Sequence, residues 1–161
     1  LGQAVAEARG EEPADAAETT VTINLPADYF LSEDYLPDVD RRVLVYRKLA
    51  AVSDLAGVDE LQADAVERYG ELPEAARNLF DRARVRIRAD RLGITAVGYA
   101  TGKITLAGAE VPEAIHKAWR AKGAQVFVKT KKVNYPFRAD KEELLPAALA
   151  ILEELGGADE E

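Results

Sequence analysis

Catalysis needs a nucleophile, a base or a metal ligand, and this 161-residue chain holds few candidates for any of them. It has no Cys, which removes thiolate nucleophiles, disulfides and Cys-ligated zinc. The single histidine, His116, sits on an expected helix opening at Pro112, and Glu113 is its only helical neighbour of a ligating type. One imidazole and one carboxylate fall short of a metal site, so His116 reads as structural or exposed. Ser32 and Ser53 are the only serines; neither lies in a nucleophile-elbow pattern, and no Ser-His-acid arrangement can be assembled. Gly98-Tyr99-Ala100-Thr101-Gly102-Lys103 has the residue types of a phosphate-binding loop. Its glycine spacing is one residue short, Ile104 stands where Ser or Thr should bind magnesium, and it lies between two expected strands. It reads as a hairpin turn. The expectation is a chain with no catalytic, metal or cofactor-binding residues.

What remains is charge placed on surfaces. Arg77, Arg82, Arg84, Arg86, Arg88 and Arg91 follow Glu74 along one expected helix, an order that complements the helix dipole. The plain reading is a solvated face; the alternative is a surface for an acidic partner or for nucleic acid, the latter as a small nucleic-acid-binding module using helix 77–91. Lys129, Lys131 and Lys132 lie along and just after an expected strand without interleaved aromatics, as in an edge guarded against strand pairing. A third pattern lies on the helix from about Val58 to Gly70. At 100° per residue, Leu61, Ala65 and Tyr69 fall within about 60° of Val58 and Val66 near 80°, forming an inward stripe. Glu67, Glu60 and Asp64 fall at about 180–240°, an outward acidic ridge. Such a ridge either serves solubility or docks arginines of a partner through directional carboxylate–guanidinium pairs.

The elements that must position these residues follow from period and punctuation. Val21–Leu25 alternates as a short strand that Pro26 ends, and a loop runs through Asp34-Tyr35-Leu36-Pro37. Asp38 is an expected N-cap for a helix on which Val39, Val43, Tyr46, Leu49 and Ala50 recur, up to about Val52. The second helix stops at Gly70; the third opens at Pro73, packs Ala76, Leu79, Phe80, Ala83 and Ile87, and ends at Gly93. Strands are expected at Ile94–Ala100, Lys103–Leu106 and Gln125–Thr130, with Asn134–Arg138 confined to an edge by Pro136. A fourth helix runs from Pro112 to near Gly123. A last helix, capped by Asp140, runs from Lys141 to about Leu155 and is stopped by Gly156-Gly157. Strands and helices do not alternate strictly, so the class is α+β: three helices after a short strand, then a small mixed or antiparallel sheet with two further helices.

Composition places these elements in one domain, 21–155, between an Ala- and Glu-rich linker leader, 1–20, and an acidic tail, 156–161. The formal net charge of −8 is carried by the ends: residues 1–20 hold net −4 and residues 153–161 net −5, leaving +1 on the span between. A near-neutral body gives no bulk-charge case for nucleic-acid binding. Hydrophobic residues make up 48% and charged residues 31%, an ordinary globular mixture, with no apolar run near the ~20 residues of a membrane span. The start at Leu1 and the absence of Met mark the expectation of a piece of a longer chain.

Ile23-Asn24-Leu25-Pro26, Asp34-Tyr35-Leu36-Pro37-Asp38, Tyr46-Arg47-Lys48-Leu49-Ala50, Glu67-Arg68-Tyr69-Gly70-Glu71-Leu72-Pro73 and Leu92-Gly93-Ile94 together resemble the C-terminal (TRCF) regulatory domain of the bacterial transcription-repair coupling factors (Mfd). The likeness is dense from about 21 to 95; beyond, to 155, only the order and spacing of elements correspond. The resemblance implies a cytoplasmic DNA translocase as parent, with ATP and Mg in its motor domains and RNA polymerase, UvrA and DNA as the parent's partners. It implies that this domain docks intramolecularly on a UvrB-like module, hides the UvrA-binding surface and restrains the motor. It also places the family's docking carboxylates at Asp64 and Glu67; Glu60 is added by the helical wheel alone.

Overall fold

The computed structural model describes residues 21–138 and 143–160, from 157 onward as backbone alone. The expected Asp140 cap and the leader 1–20 lie outside the described residues. Strand β1 (Thr22–Asn24) precedes helices α1 (Val39–Ala51), α2 (Leu55–Tyr69) and α3 (Glu74–Arg91). Strands β2 (Ala96–Ala100) and β3 (Lys103–Ala107), helix α4 (Glu113–Ala121), strands β4 (Gln125–Phe127) and β5 (Lys132–Pro136), and helix α5 (Leu144–Glu160) complete the chain. The class is α+β, as expected.

Local chemistry accounts for most boundaries. Asp38 caps α1, its carboxylate accepting from the Asp40 and Arg41 amides. Asp54 caps α2 through the Gly57 amide, which starts that helix three residues ahead of the expected Val58. Thr101 and Gly102 both adopt positive φ, 49° and 76°, as a two-residue hairpin turn between β2 and β3 requires.

One five-stranded sheet has the order β1-β2-β3-β5-β4, with β1 parallel to β2 and the other pairs antiparallel. β5 is therefore an inner strand, against the expectation that Pro136 holds it at an edge. Pro136 is the last residue of β5, and β4 begins, at Gln125, opposite Asn134. The next amide, Phe137 N–H, donates to Gly102 on the β3 side. The alternation of an antiparallel ladder then aims the Pro136 nitrogen past the start of β4, where no donor is required. β4 itself is the edge and stops at Phe127, so Lys129 and Lys131 lie in the β4–β5 turn rather than along the strand.

The interior divides into two apolar clusters joined by α3. The sheet-side cluster contains Val97, Ile104, Leu106, Trp119, Val133, Leu145 and Leu152, with Val85 and Ala89 from α3. The helical cluster contains Leu36, Leu49, Val58, Ala65 and Leu72, with Ala76, Phe80, Ala83 and Ile87 from α3. α3 thus buries two faces, where the sequence pattern revealed one. On α1 only Leu49 is buried; Val39, Val43, Tyr46 and Ala50, which recur with it at helical spacing, are exposed. α5 runs through Gly156-Gly157 instead of stopping there. Glycine costs a helix about 1 kcal/mol relative to Ala. Here Leu152 and Leu155 are fully buried and Gly156 packs near Leu92, so tertiary packing outweighs that preference.

Candidate docking site

α2 presents its acidic ridge because its inner face is fastened from three directions. Val58 and Ala65 are buried and Leu61 and Tyr69 half-buried in the helical cluster, whereas Val66 stays exposed. The loop before α1 reaches the end of α2: the Tyr35 hydroxyl is shared between the carbonyls of Ala65, 3.2 Å, and Gly70, 2.9 Å. Its ring meets Tyr69 edge-on with centroids 5.9 Å apart. From α3, the Arg84 guanidinium spans Asp59 at 2.8 Å, Gln62 at 2.6 Å and Asp81 at 3.0 Å.

Held this way, Glu60, Asp64 and Glu67 are all exposed. Their states differ. Asp64 takes the Arg68 Nε at 3.0 and 3.1 Å, an i,i+4 pair that raises the Arg68 pKa chiefly through that hydrogen bond. Glu60 and Glu67 form no ion pair with another described residue. Among the described residues the ridge thus offers two carboxylates without an ion-pair partner, around one held by a neighbouring guanidinium. The sequence reading missed the Asp64–Arg68 pair, although its i,i+4 spacing is legible. Between α1 and α2 the ridge borders a cleft of about 140 Å³, with Arg41, Lys48 and Arg68 around Leu44, Leu61 and Tyr69.

The arginines of α3 divide between exposed (Arg77, Arg82, Arg91) and half-buried (Arg84, Arg86, Arg88). Arg86 donates to the carbonyls of Leu49 and Val52 at the end of α1, at 2.9 and 3.0 Å. Arg77 donates to Leu72 O, Arg82 lies over the Tyr29 ring, and Arg88 is 3.7 Å from Glu153. Arg84 is committed to α2. Arg84, Arg86 and Arg88 thus tie α3 to the layers on both sides, while Arg77, Arg82 and Arg91 remain exposed. His116 is half-buried, with Nε2 unpartnered among the described residues, and among those residues no His, Cys, Asp or Glu group is arranged to hold a metal. No helix of the described residues is long and apolar enough to cross a membrane.

The α2–α3 clamp carries a pH signature. Burial pushes the Asp81 carboxyl above the usual carboxylate range, and Arg84 offsets this only in part. A folded-state pKa above the unfolded one means the folded state binds the proton more tightly. The stability this group adds is full below its unfolded pKa and lost as pH rises through its folded pKa. Asp81→Asn does not titrate, so its stability relative to the parent should improve between about pH 3.5 and about pH 7. Urea midpoints of the two chains at both pH values check this; a constant difference contradicts it.

The TRCF domain family model matches residues 25–117. The transcription-repair-coupling factor of Myxococcus xanthus is 29% identical over 164 residues, covering 96% of this chain and 13% of that protein. That of Escherichia coli (strain K12) is 34% identical over 89 residues, 53% of this chain and 8% of that protein. That of Mycobacterium bovis is 41% identical over 100 residues, 62% and 8%. The matched region thus spans between 8% and 13% of the length of these relatives. A crystal structure of the C-terminal domain of transcription-repair coupling factor shares the fold with a TM-score of 0.61 at 18% identity, covering 84% of this chain and 94% of that one.

Proposed function

The chain belongs to the TRCF domain family, as its C-terminal-domain fold agrees, and from that premise we propose that it is a non-catalytic latch within a transcription-repair coupling factor. It docks on a UvrB-like module of the same longer protein. Docked, it masks the surface that UvrA would bind and restrains the DNA translocase during transcription-coupled repair in the cytoplasm. ATP, Mg, DNA and RNA polymerase are handled by the motor and polymerase-binding parts of that protein, not by this domain. The observation that carries the reading is the exposed ridge of Glu60, Asp64 and Glu67 on a helix whose opposite face is fixed.

The physical scale suits a latch. Exposed ion pairs contribute about 0.2–1 kcal/mol each, and bidentate carboxylate–arginine pairs more. Two or three such pairs hold a module that an ATP-driven rearrangement can release. An arginine of the docking module competes with Arg68 for Asp64, whereas Glu67 and Glu60 have no ion-pair partner among the described residues. In a titration of this chain against the isolated UvrB-like module, binding should be weak and fall with salt. Asp64→Ala with Glu67→Ala should remove it, and because both positions are exposed the fold should change by less than about 0.5 kcal/mol. Unchanged affinity in the double variant excludes the ridge as the contact.

A further inference from the structure

α1 carries two apolar faces. Val45, Leu49 and Val52 turn toward the helical cluster. Val39, Val43, Tyr46 and Ala50 recur at steps of four, three and four and lie within about 60° of one another on the helix surface. Val39 is 57%, Val43 43% and Tyr46 36% exposed. Phe30, 47% exposed, extends the patch, because the Leu31 amide donates to the Tyr46 hydroxyl at 2.8 Å and holds that loop alongside. An aligned exposed apolar stripe of this kind marks a contact surface, unlike apolar residues scattered singly. It points away from α2, since Arg41, Leu44 and Lys48 on the other side of α1 line the α1–α2 cleft.

We propose that this stripe pairs antiparallel with α1 of a second copy of the chain. The charges beside it identify the occupant. Asp40 and Arg47, both exposed, lie on one flank of the stripe, about 80–100° from Val39. In an antiparallel pair related by a two-fold axis, each flank faces its own counterpart read in reverse. With the stripes centred on one another, Asp40 of either copy comes opposite Arg47 of the other, so the contact closes with two reciprocal ion pairs around an apolar seam. The Asp64–Glu67 ridge lies outside this seam, which makes the pairing independent of the latch.

A 13-residue helix is only about 20 Å long, so the seam falls well short of the ~1,200 Å² that stable interfaces bury. Association should therefore be weak and reversible, as in transient encounters. Sedimentation equilibrium of the 161-residue chain from about 10 µM to about 1 mM should show the mass rising from 17.5 kDa toward twice that value. Val43→Glu should keep it monomeric, with circular dichroism confirming the fold. Asp40→Arg and Arg47→Glu each break both reciprocal pairs and should each weaken association by up to about thirtyfold, and the two together should restore it, since each pair is worth up to about 1 kcal/mol. Asp64→Ala with Glu67→Ala should leave it unchanged. A chain that stays monomeric to about 1 mM, even one whose stripe binds a different protein, overturns the proposal. So does a dimer indifferent to Val43→Glu, or a double charge exchange as weak as either single one.

Discussion

Phe80→Ala should lower the stability of the chain by about 3–5 kcal/mol, a large share of the 5–15 kcal/mol typical of a domain. Phe80 is fully buried and sits on α3 within the cluster that also holds Leu36, Leu49, Val58 and Leu72. Truncation removes the transfer free energy of the ring and leaves a cavity that four separate segments would have to collapse to fill. The further consequence concerns cooperativity. α3 supplies Ala76, Phe80, Ala83 and Ile87 to one cluster and Val85 and Ala89 to the other. Damage at Phe80 should therefore reach the sheet side through a shared rigid helix. The single Trp, Trp119, lies in the sheet-side cluster, so its fluorescence reports that half while far-ultraviolet circular dichroism weights the helices. In urea the two signals should move to the same lower midpoint. A Trp119 transition left in place while the helical signal shifts would show two units that unfold separately.

Helix existence and order could be read because Asp38, Pro73, Pro112 and the glycines at 70 and 93 punctuate a clear period, and the Thr101-Gly102 turn follows from residue type alone. Local pattern does not say which side of an element is covered. The residues that recur at helical spacing on α1 mostly face solvent. Pro136 looked like an edge marker, yet its strand is internal because β4 is too short to reach it. Gly156 looked like a stop, yet the helix passes it where Leu152 and Leu155 are buried. The arginines of α3 are the clearest case. As a string they suggest either a solvated face or a polyanion; in the fold, Arg84 and Arg86 close the ends and sides of neighbouring helices. Only long-range placement distinguishes a clamp from a binding surface. The acidic ridge was legible because an outward stripe on one helix needs nothing but period, whereas the pairing of Asp64 with Arg68 depends on a side-chain rotamer.

Trp119→Ala should cost about 3–5 kcal/mol, comparable to Phe80→Ala, while Trp119→Phe should cost less, about 1–2 kcal/mol. Trp119 is fully buried on the inner face of α4 and meets Tyr135 of β5 edge-on with ring centroids 5.4 Å apart. Phe keeps an aromatic body for that contact and leaves the smaller cavity. It also forfeits no hydrogen bond with the described residues, since Nε1 has no partner among them. The ordering is measured by urea unfolding followed by circular dichroism, the variants having lost their fluorophore; equal costs for Ala and Phe would refute the volume argument. These variants also separate stability from docking. Trp119 belongs to the cluster on the sheet side, whereas Glu60, Asp64 and Glu67 project from α2 on the helical side. Under conditions where Trp119→Phe remains folded, its affinity for the UvrB-like module should equal that of the parent chain. A fall in affinity without unfolding would mean that the latch contacts the sheet layer as well, and that the ridge alone does not account for docking.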